Sequence, residues 1–416
     1  MQSHMRQLFG MALGLGRPWV VGKIEFSGEQ RQLDLWLDLP PGSKFPCPEC
    51  GAACGVHDRT ERAWRHLNFF QHKTFLRARQ PRVNCPEHGV RTVEVPWARA
   101  GAGFTLLMEA FVLVLVQGGM TVAQAGRLVG EHDTRLWRVL QHYVEEARAG
   151  EDFSEVTMVG IDETSRSKGQ HYISVFMDLE EPRRRVVFAT EGRDAETIRE
   201  FREDLEAHGG CAEQVREACL DMSPAYMAGL EDQFPDANLT FDNFHLMQLL
   251  TEAVDQTRRE EQRAHPELKG TRYVWLKNEW NHTAKQAEIF GRLRSSKLAT
   301  VRATHIKNVF GDIFACDSPE EAEGLLKRWY FWATHSRIEP VTKAAKTIKN
   351  HWAGVLRWFT SRISNGVLEA INSLIQSAKA KARGFRNPSY LITMVYLIAG
   401  KLDFKLPDMG YATHTK

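Results

Sequence analysis

The sequence lacks any apolar run that could cross a membrane, and no secretory signal is recognisable in its first residues. Its most apolar run, 111–116, is short, whereas a membrane-spanning helix needs about 20 residues. Residues 1–16 contain apolar side chains but no extended apolar segment of the kind that a secretory signal carries. We therefore expect a cytoplasmic protein that has no membrane partner.

Cysteine is also scarce, with 7 residues in a chain of 416. Four of them fall within Cys47–Cys85, and the other three, Cys211, Cys219 and Cys316, are scattered. An odd number with this distribution excludes a disulfide framework, because disulfide-stapled domains are short and carry paired cysteines. The clustering of four cysteines in one short region instead predicts a metal site.

Net charge is nearly absent, because 54 Lys and Arg residues face 52 Asp and Glu residues, which leaves +2. The sum hides an uneven distribution. Residues 151–240 hold 9 basic and 21 acidic residues, whereas 343–386 hold nine basic residues and one acid, Glu369. Basic arms could bind DNA phosphates on both sides of an acidic centre, provided that cations at this centre offset its repulsion of the phosphates. Charge alone is equally compatible with ordinary solvated faces.

Two short motifs, CPEC at 47–50 and NCPEH at 84–88, each place two possible metal ligands within one tight turn. Tetrahedral zinc takes four thiolate or imidazole ligands from such turns. The predicted ligands of one structural Zn²⁺ are Cys47, Cys50, Cys85 and His88. Cys54 and His57 remain rival ligands, and free thiols are the alternative to a metal site.

The segment between these two turns has room for a pair of strands and is rich in basic residues. Such a strand pair suits a DNA backbone, although it can also be an ordinary polar surface. The basic residues concerned are Arg59, Arg62, Arg65, Lys73, Arg77 and Arg79.

Residues 99–150 are predicted to form a helix-turn-helix domain. A buried first helix is expected to end at Gly118. Thr121 and Gln124 have the spacing of a capping box at the start of the next helix, and Thr134 can cap the helix after that. The lengths match a DNA-reading motif, although helical hairpins are common in other folds. The candidates for groove or phosphate contacts are Arg135, Arg138 and His142.

The acidic centre has the pattern of an α/β domain. Strands are predicted at 156–161, 172–177, 185–190, 215–220 and 239–241, with a helix at 195–208. The order β-β-β-α-β-α-β is that of ribonuclease H-like folds. Asp162 and Asp221 each end a predicted strand, so they can meet if their strands are adjacent in one sheet. A strand-end cap is the alternative role of either residue.

Glu369 is the candidate for a third acid. The helix that follows 365–366 is expected to put one apolar face on the sheet, formed by Val367, Leu368, Ile371, Leu374 and Ile375. Its polar face would carry Asn365, Glu369, Asn372 and Gln376. Three such carboxylates can hold two Mg²⁺ (or Mn²⁺) ions, since hard oxygen ligands suit these metals. A salt bridge is the alternative role of Glu369.

On these motifs the sequence resembles the ISL3 family of bacterial insertion-sequence transposases, which are of the Asp-Asp-Glu type. The resemblance covers about 19–406. Its most specific parts are CPEC…CPEHGVRTVEVPWA (47–98), GIDETSRSKGQHY (160–172), EGRDAETI (191–198) and SNGVLEAINSLIQSAKAKARGFRN (364–387). The resemblance implies catalytic acids at Asp162, Asp221 and Glu369, and zinc ligands at Cys47, Cys50, Cys85 and His88. The signature around Asp221, LDMSPAY, is short.

The resemblance also implies a helical insertion between the second Asp and the Glu, and polar partners around Glu369. Residues 245–345 have the required helical character. Positions that match the family's Glu motif are Asn365, Asn372, Lys379 and Arg383. Further candidates for DNA contact are Lys168, Lys381 and Arg386.

Several other residues allow two interpretations. Trp352 and Trp358 can stack an exposed base or belong to a helical core, and Trp329 and Trp332 are expected in the core of the insertion. Asp242 and His245 can support the metal site or hydrogen-bond to the following helix.

The predicted fold class is therefore a multidomain α/β protein with an N-terminal zinc ribbon and helix-turn-helix, and a ribonuclease H-like core interrupted by an all-helical insertion. The expected domains are 1–42 (β-hairpin region), 43–98 (zinc ribbon), 99–150 (helix-turn-helix), 151–244 (first part of the core), 245–345 (helical insertion) and 346–416 (second part of the core).

The predicted function is that of a DNA transposase. It would bind terminal inverted repeats, cut the element ends and join the 3′ ends to target DNA. The resemblance implies double-stranded DNA as partner, a homodimer on that DNA, and a bacterial cytoplasm or nucleoid as location. The rivals are a site-specific nuclease on the same core and a catalytically idle DNA-binding protein derived from a transposase.

Overall fold

The computed structural model describes residues 2–167, 169, 171–241, 243–361, 363 and 366–408, apart from the side chain of Ser167. Lys168, Asp242 and Asn365, which were predicted as site residues, lie outside this set. The chain forms two compact units. The first contains the described residues of 1–147 and 403–416, and the second contains those of 148–402.

The first unit begins with a helix, α1 (Gln2–Ala12), and a sheet. The strands are β1 (Val20–Ser27), β2 (Gln32–Asp38), β3 (Lys44–Pro46), β4 (Ala53–Phe69), β5 (His72–Cys85) and β6 (Gly89–Thr92). Their order is β1-β2-β5-β4-β3, with β6 on β5. The hairpin predicted within 1–42 is confirmed, because β1 and β2 pair in an antiparallel arrangement. Alternate residues of β2 are buried, as expected for a strand with one face on the core. The two strands expected between the zinc motifs are the long pair β4–β5.

Three helices follow the sheet in the first unit. They are α2 (Leu106–Gln117), α3 (Val122–Val129) and α4 (Asp133–Ala149). The capping box of Thr121 and Gln124 is confirmed, since each side chain bonds the other's backbone amide. The prediction for Thr134 is wrong, because α4 already begins at Asp133 and the Thr134 hydroxyl bonds His132 instead.

The second unit is built on a five-stranded sheet. Its elements are β7 (Met158–Ser167), β8 (His171–Asp178), β9 (Arg185–Glu191), α5 (Ala195–Ala207), β10 (Glu217–Leu220), α6 (Pro224–Gln233) and β11 (Asn238–Phe241). The strand order is β11-β10-β7-β8-β9, with β10 parallel to both β7 and β11. The predicted β-β-β-α-β-α-β order is confirmed. The end predicted for the first strand is wrong, because β7 pairs with β8 far beyond Asp162.

The insertion after β11 is entirely helical in its described residues. Its α-helices are α7 (Asn243–Glu261), α8 (Arg272–Leu276), α9 (Ala284–Leu293), α10 (Ala299–Ile313), α11 (Pro319–Thr334) and α12 (Glu339–Asn350). Large side chains such as Trp275, Phe310 and Trp329 fill its interior. Because they share a hydrophobic core with the sheet, the insertion packs directly on the α/β core.

Three helices complete the second unit. They are α13 (Trp352–Ser361), α14 (Gly366–Ala382) and α15 (Pro388–Ala399). α13 packs on β11, where Gly354 lies so close that a Cβ would be 2.3 Å from the Phe241 ring. α14 packs on β7 and α15 on β9. None of the helices in the described part of the chain is long and apolar enough to span a membrane.

Candidate metal centre and active site

The zinc motifs bring their four predicted ligands together. The ligand atoms of Cys47, Cys50, Cys85 and His88 all lie within 4.8 Å of one another. The Sγ atoms of Cys50 and Cys85 are 3.6 Å apart, and Nδ1 of His88 is 3.6 Å from Sγ of Cys85. Backbone amides of His88 and Glu87 lower the pKa of the Cys85 thiol, which favours the thiolate that binds a metal. This donor set fits one structural zinc ion.

Both turns of the cluster share one local geometry. Each runs C-P-E-(C/H)-G, and the glycines that end them, Gly51 and Gly89, have φ angles of 72° and 69°. These angles favour residues without a Cβ. The rival ligands do not join the four. Cys54 donates through Sγ to the Ala52 carbonyl, and the half-exposed His57 pairs with Asp58.

The basic residues of β4 and β5 fall into two groups. Arg59 and Arg79 are exposed, and Arg62 is half-buried beside Trp64. Arg65, by contrast, is 1% exposed, and Nε lies 3.3 Å from Glu131. It therefore ties the strand pair to the helix-turn-helix and does not suit a contact with a phosphate.

Other basic residues of the first unit are also engaged within it. Arg77 pairs with Asp34 at 2.6 Å. Arg135 pairs with Glu131 and lies 4.2 Å from the centre of the Phe104 ring. Arg138 is exposed and therefore remains open to a partner.

Asp162 and Asp221 lie side by side at the carboxyl end of β10. Cys219 on β10 is opposite Gly160 on β7, so the register brings Asp221 level with Asp162. Oδ1 of Asp162 accepts the Glu163 amide at 2.7 Å, and Oδ1 of Asp221 accepts the Ser223 amide at 2.9 Å. Adjacent parallel strands are therefore the reason that two residues far apart in sequence share one site.

The helix that carries Glu369 lies against the strand that carries Asp162. Leu368 packs so closely on β7 that a Cβ at Gly160 would be 2.6 Å from its Cδ1. One turn after Glu369, Asn372 donates through Nδ2 to Oδ2 of Asp162. Because residues three apart are neighbours on a helix, the exposed Glu369 borders the same acidic edge.

Two further contacts continue this alignment of α14 with β7. Nε2 of Gln376 donates to Oγ1 of Thr164 at 2.5 Å, and Nζ of Lys379 donates to the Ser165 carbonyl. Three side chains of α14 therefore bond to β7 at Asp162, Thr164 and Ser165. Together these contacts fix the position of the helix along the strand. Lys379 was predicted to contact DNA, and here its ammonium group donates to a carbonyl within β7.

Burial and neighbouring acids raise the pKa of two carboxyl groups of the site, Asp162 and Glu163. Burial raises the pKa of Asp162 to about 6, and the charges of Asp221 and Glu163 add to the rise. Burial and Asp221 also raise the pKa of Glu163. A charge on His245 opposes both shifts. Such crowding of carboxylates is relieved by cations, which is the property expected of a divalent-metal site.

Glu163 and Tyr226 are site residues that sequence reasoning missed. Glu163 lies 3.7 Å from Arg193, and its adjacency to Asp162 in GIDE was the available signal. The buried hydroxyl of Tyr226 is 2.6 Å from Oγ of Ser174, which donates to the Gly192 carbonyl. Tyr226 thereby anchors the start of α6, the helix that follows Asp221.

Three of the four tryptophans agree with an interpretation given for them, and one does not. Trp352 packs edge-on against Tyr330 and lies under Lys349, and Trp358 packs edge-on against Phe314. Both rings therefore belong to the helical packing, which was one of their two interpretations. The expectation that Trp332 is in the core is wrong, since it is 40% exposed, whereas Trp329 is buried as predicted.

The helix face predicted around Glu369 also needs one correction. Leu374 was expected on the buried face of α14, but it is 54% exposed. The fully buried residues of α14 are Leu368 and Ile375, so the buried face is narrower than predicted. The remaining basic candidates, Lys381, Arg383 and Arg386, have exposed side chains.

Three stretches of the chain match known families. Residues 43–88 match a zinc finger of the transposases of IS204, IS1001, IS1096 and IS1165. Residues 93–144 match the helix-turn-helix domain of transposase family ISL3, and 159–395 match the transposase domain of the same family.

Curated relatives agree with these matches over nearly the whole chain. The transposase for insertion sequence element IS1557 of Mycobacterium tuberculosis (strain H37Rv) is 28% identical over 431 residues, which cover 94% of this chain and 95% of the relative. The transposase for IS1001 of Bordetella parapertussis is 25% identical over 398 residues, covering 92% and 96%. The zinc ribbon, the helix-turn-helix and the α/β core all lead to one conclusion: the chain belongs to the ISL3 family of insertion-sequence transposases.

Proposed function

We propose that this chain binds the terminal inverted repeats of its insertion sequence, cuts the DNA at the element ends and joins the 3′ ends to target DNA. The observation that carries the proposal is the convergence of Asp162, Asp221 and the Glu369 helix on one acidic edge. The family supports a transposase, and this edge supports phosphodiester chemistry as the way in which it acts.

The donor chemistry of this edge fits divalent cations. Asp162, Asp221 and Glu369 would hold two Mg²⁺ (or Mn²⁺) ions, since carboxylate oxygens are the ligands that these metals prefer. Burial raises the pKa of Asp162, and the charges of Asp221 and Glu163 add to the rise, so bound cations would stabilise its charged form. Bound in this way, the metals supply activation of the attacking hydroxyl and stabilisation of the leaving oxygen.

The chain's own residues orient and stabilise this site. Asn372 fixes the Asp162 carboxylate, while the Glu163 amide holds its other oxygen, so the carboxylate has one orientation. Tyr226 and Ser174 brace the segment that follows Asp221. A charge on His245 lowers the pKa of Asp162, so this residue can moderate the negative charge of the site. These contacts pre-organise the acids before DNA binds.

We assign DNA recognition to basic residues of both units, all exposed except the half-buried Arg62. Arg59, Arg62 and Arg79 of the ribbon and Arg138 of α4 would contact the inverted repeats, and Lys381, Arg383 and Arg386 would contact phosphates beside the acids. Two element ends have to be brought together, so we expect a homodimer on DNA.

The test uses end DNA that has already been cut, together with a target plasmid. In Mg²⁺, the full chain is expected to join the precut 3′ ends to the plasmid, and also to cut uncut repeats. A site-specific nuclease would cut the repeats without joining any precut end, and that result would overturn the proposal. An idle DNA-binding protein would shift the repeats in a gel and do neither reaction.

A further inference from the structure

Helix α11 presents large rings and cations to solvent along one face. Arg328, Phe331, Trp332 and His335 follow the i, i+3, i+4 and i+7 spacing that aligns side chains on a helix. All four are exposed, Phe331 by 64% and Trp332 by 40%. We call these four residues the α11 stripe.

The stripe is not needed for the packing of α11. The opposite face already buries Ala322, Leu326, Trp329 and Ala333 in the core of the insertion. Exposed single apolar residues are common, but two neighbouring aromatic rings on one helix face cost hydration without stabilising the fold. A binding role is the physical reason for such an arrangement.

Two rings of the stripe, those of Phe331 and His335, are already held against each other. Phe331 stacks on His335 with centroids 4.1 Å apart and planes within 25°. The imidazole is itself held by the Phe331 carbonyl, 2.8 Å from Nδ1. A flat, fixed ring loses little conformational freedom when a second flat ring stacks on it.

The segment of chain that carries the stripe is basic. Residues 324–338 include Lys327, Arg328 and Arg337 but no Asp or Glu. Within the described part of the chain, Arg328 and Arg337 form no ion pair, whereas Lys327 pairs with Glu323. Arg302 of α10 adds a further cation here, because it donates to the Ser336 carbonyl. In a nucleotide, a negatively charged phosphate lies close to a flat base. Unpaired cations beside exposed rings can bind both parts, since the cations attract the phosphate and the rings stack on the base.

We propose that the α11 stripe binds unpaired nucleotides of DNA, with bases stacked on Phe331 and Trp332 and phosphates held by Arg328, Arg337 and Arg302. Single strands fit better than a duplex, because paired bases hide the faces that stack on aromatic side chains. The inference rests on the proposed function, since cutting and joining expose such nucleotides at an element end.

The test measures binding of a labelled oligothymidylate to the full chain by fluorescence anisotropy, without added Mg²⁺. The double variant Phe331→Ala/Trp332→Ala is expected to bind about tenfold more weakly for each ring removed. Trp280→Ala is the matched control, because Trp280 is 81% exposed outside the stripe, and it should bind like the unmodified chain. Arg328→Gln should reduce the salt dependence of binding.

Each result decides the proposal. Unchanged affinity of the double variant for oligothymidylate overturns it. So does a double variant that loses only self-association in sedimentation, since the stripe would then bind a second copy of the chain. The full chain could also bind oligothymidylate through the stripe and yet join no precut ends. That result would contradict the proposed function but would still support nucleotide binding by the stripe. Thermal denaturation should show that the variants remain folded, with a slightly lower midpoint where Trp332 is replaced, since this side chain is only 40% exposed.

Discussion

Asn372 shows how one neutral side chain can determine the geometry of an acidic site. It is the residue of α14 that reaches the Asp162 carboxylate, and it lies one helical turn from Glu369. The sequence offered it only as a polar position near the Glu motif, because a hydrogen bond across 210 residues leaves no local pattern.

Replacing Asn372 should therefore loosen Asp162 without removing a metal ligand. Asn372→Ala is expected to weaken Mg²⁺ affinity and end cleavage by about 10- to 100-fold, the usual cost of losing a group that orients a ligand. The midpoint of Mg²⁺ activation measures the effect. Ser373→Ala, an exposed neighbour on the same helix, is the control. An unchanged Mg²⁺ midpoint in Asn372→Ala would show that Asp162 needs no such support.

The tryptophans show which residue-level predictions are unsafe. Trp329 and Trp332 are three residues apart, and both were expected inside. The buried stripe of α11 admits only Trp329, because its neighbours on that face are Leu326 and Ala333. The spacing of apolar residues in α11 is compatible with burial of either of two adjoining faces. The packing of α11 against α10, α12 and α13 determines which of the two faces is buried.

At the scale of elements, the order of strands and helices along the chain of the core was predictable, whereas the length of β7 was not. Residues 163–167 are polar, yet they continue the strand because their backbone pairs with β8. Asp162 is therefore held in the middle of a strand on which a helix packs. That position restrains a carboxylate more strongly than the strand end that the sequence suggested.

The packing of α14 on β7 depends on Gly160. A methyl group there would lie 2.6 Å from Leu368 and 2.9 Å from Leu179, so Gly160→Ala should displace the helix and lower end cleavage. Overpacking of this kind costs about 1–3 kcal/mol of the free energy of unfolding. Gly160→Ala should therefore cost less stability in a Leu368→Ala background than in the unmodified chain. An equal cost in both backgrounds would show that a clash with Leu368 is not the cause.

The zinc ribbon gives an element-scale prediction about metal content. Cys85→Ser should lose zinc and destabilise the strands that the ligands join, because structural zinc contributes directly to folding. Metal analysis of the purified variant measures the loss. Cys211→Ser, outside the cluster and exposed, should keep full zinc content. Full occupancy in Cys85→Ser would rule out the ligand set.

On the scale of the whole molecule, a net charge of +2 is the sum of regions whose net charges have opposite signs. The acids collect in the α/β core, and the exposed cations lie on the ribbon, on α11 and around α14. Domain types and their order were predictable, because each has its own local motif. The contacts that join distant segments into one site were not, since they depend on the sheet order.

The central claim is that Glu369 acts with Asp162 and Asp221 in one metal-dependent active site. The most direct measurement is end cleavage in Mg²⁺ by Glu369→Gln, which keeps the size of the side chain but removes its charge. We predict that cleavage falls to background, while binding to the inverted repeats and the thermal midpoint stay unchanged because Glu369 is exposed. Cleavage by Glu369→Gln at the rate of the unmodified chain would contradict the claim.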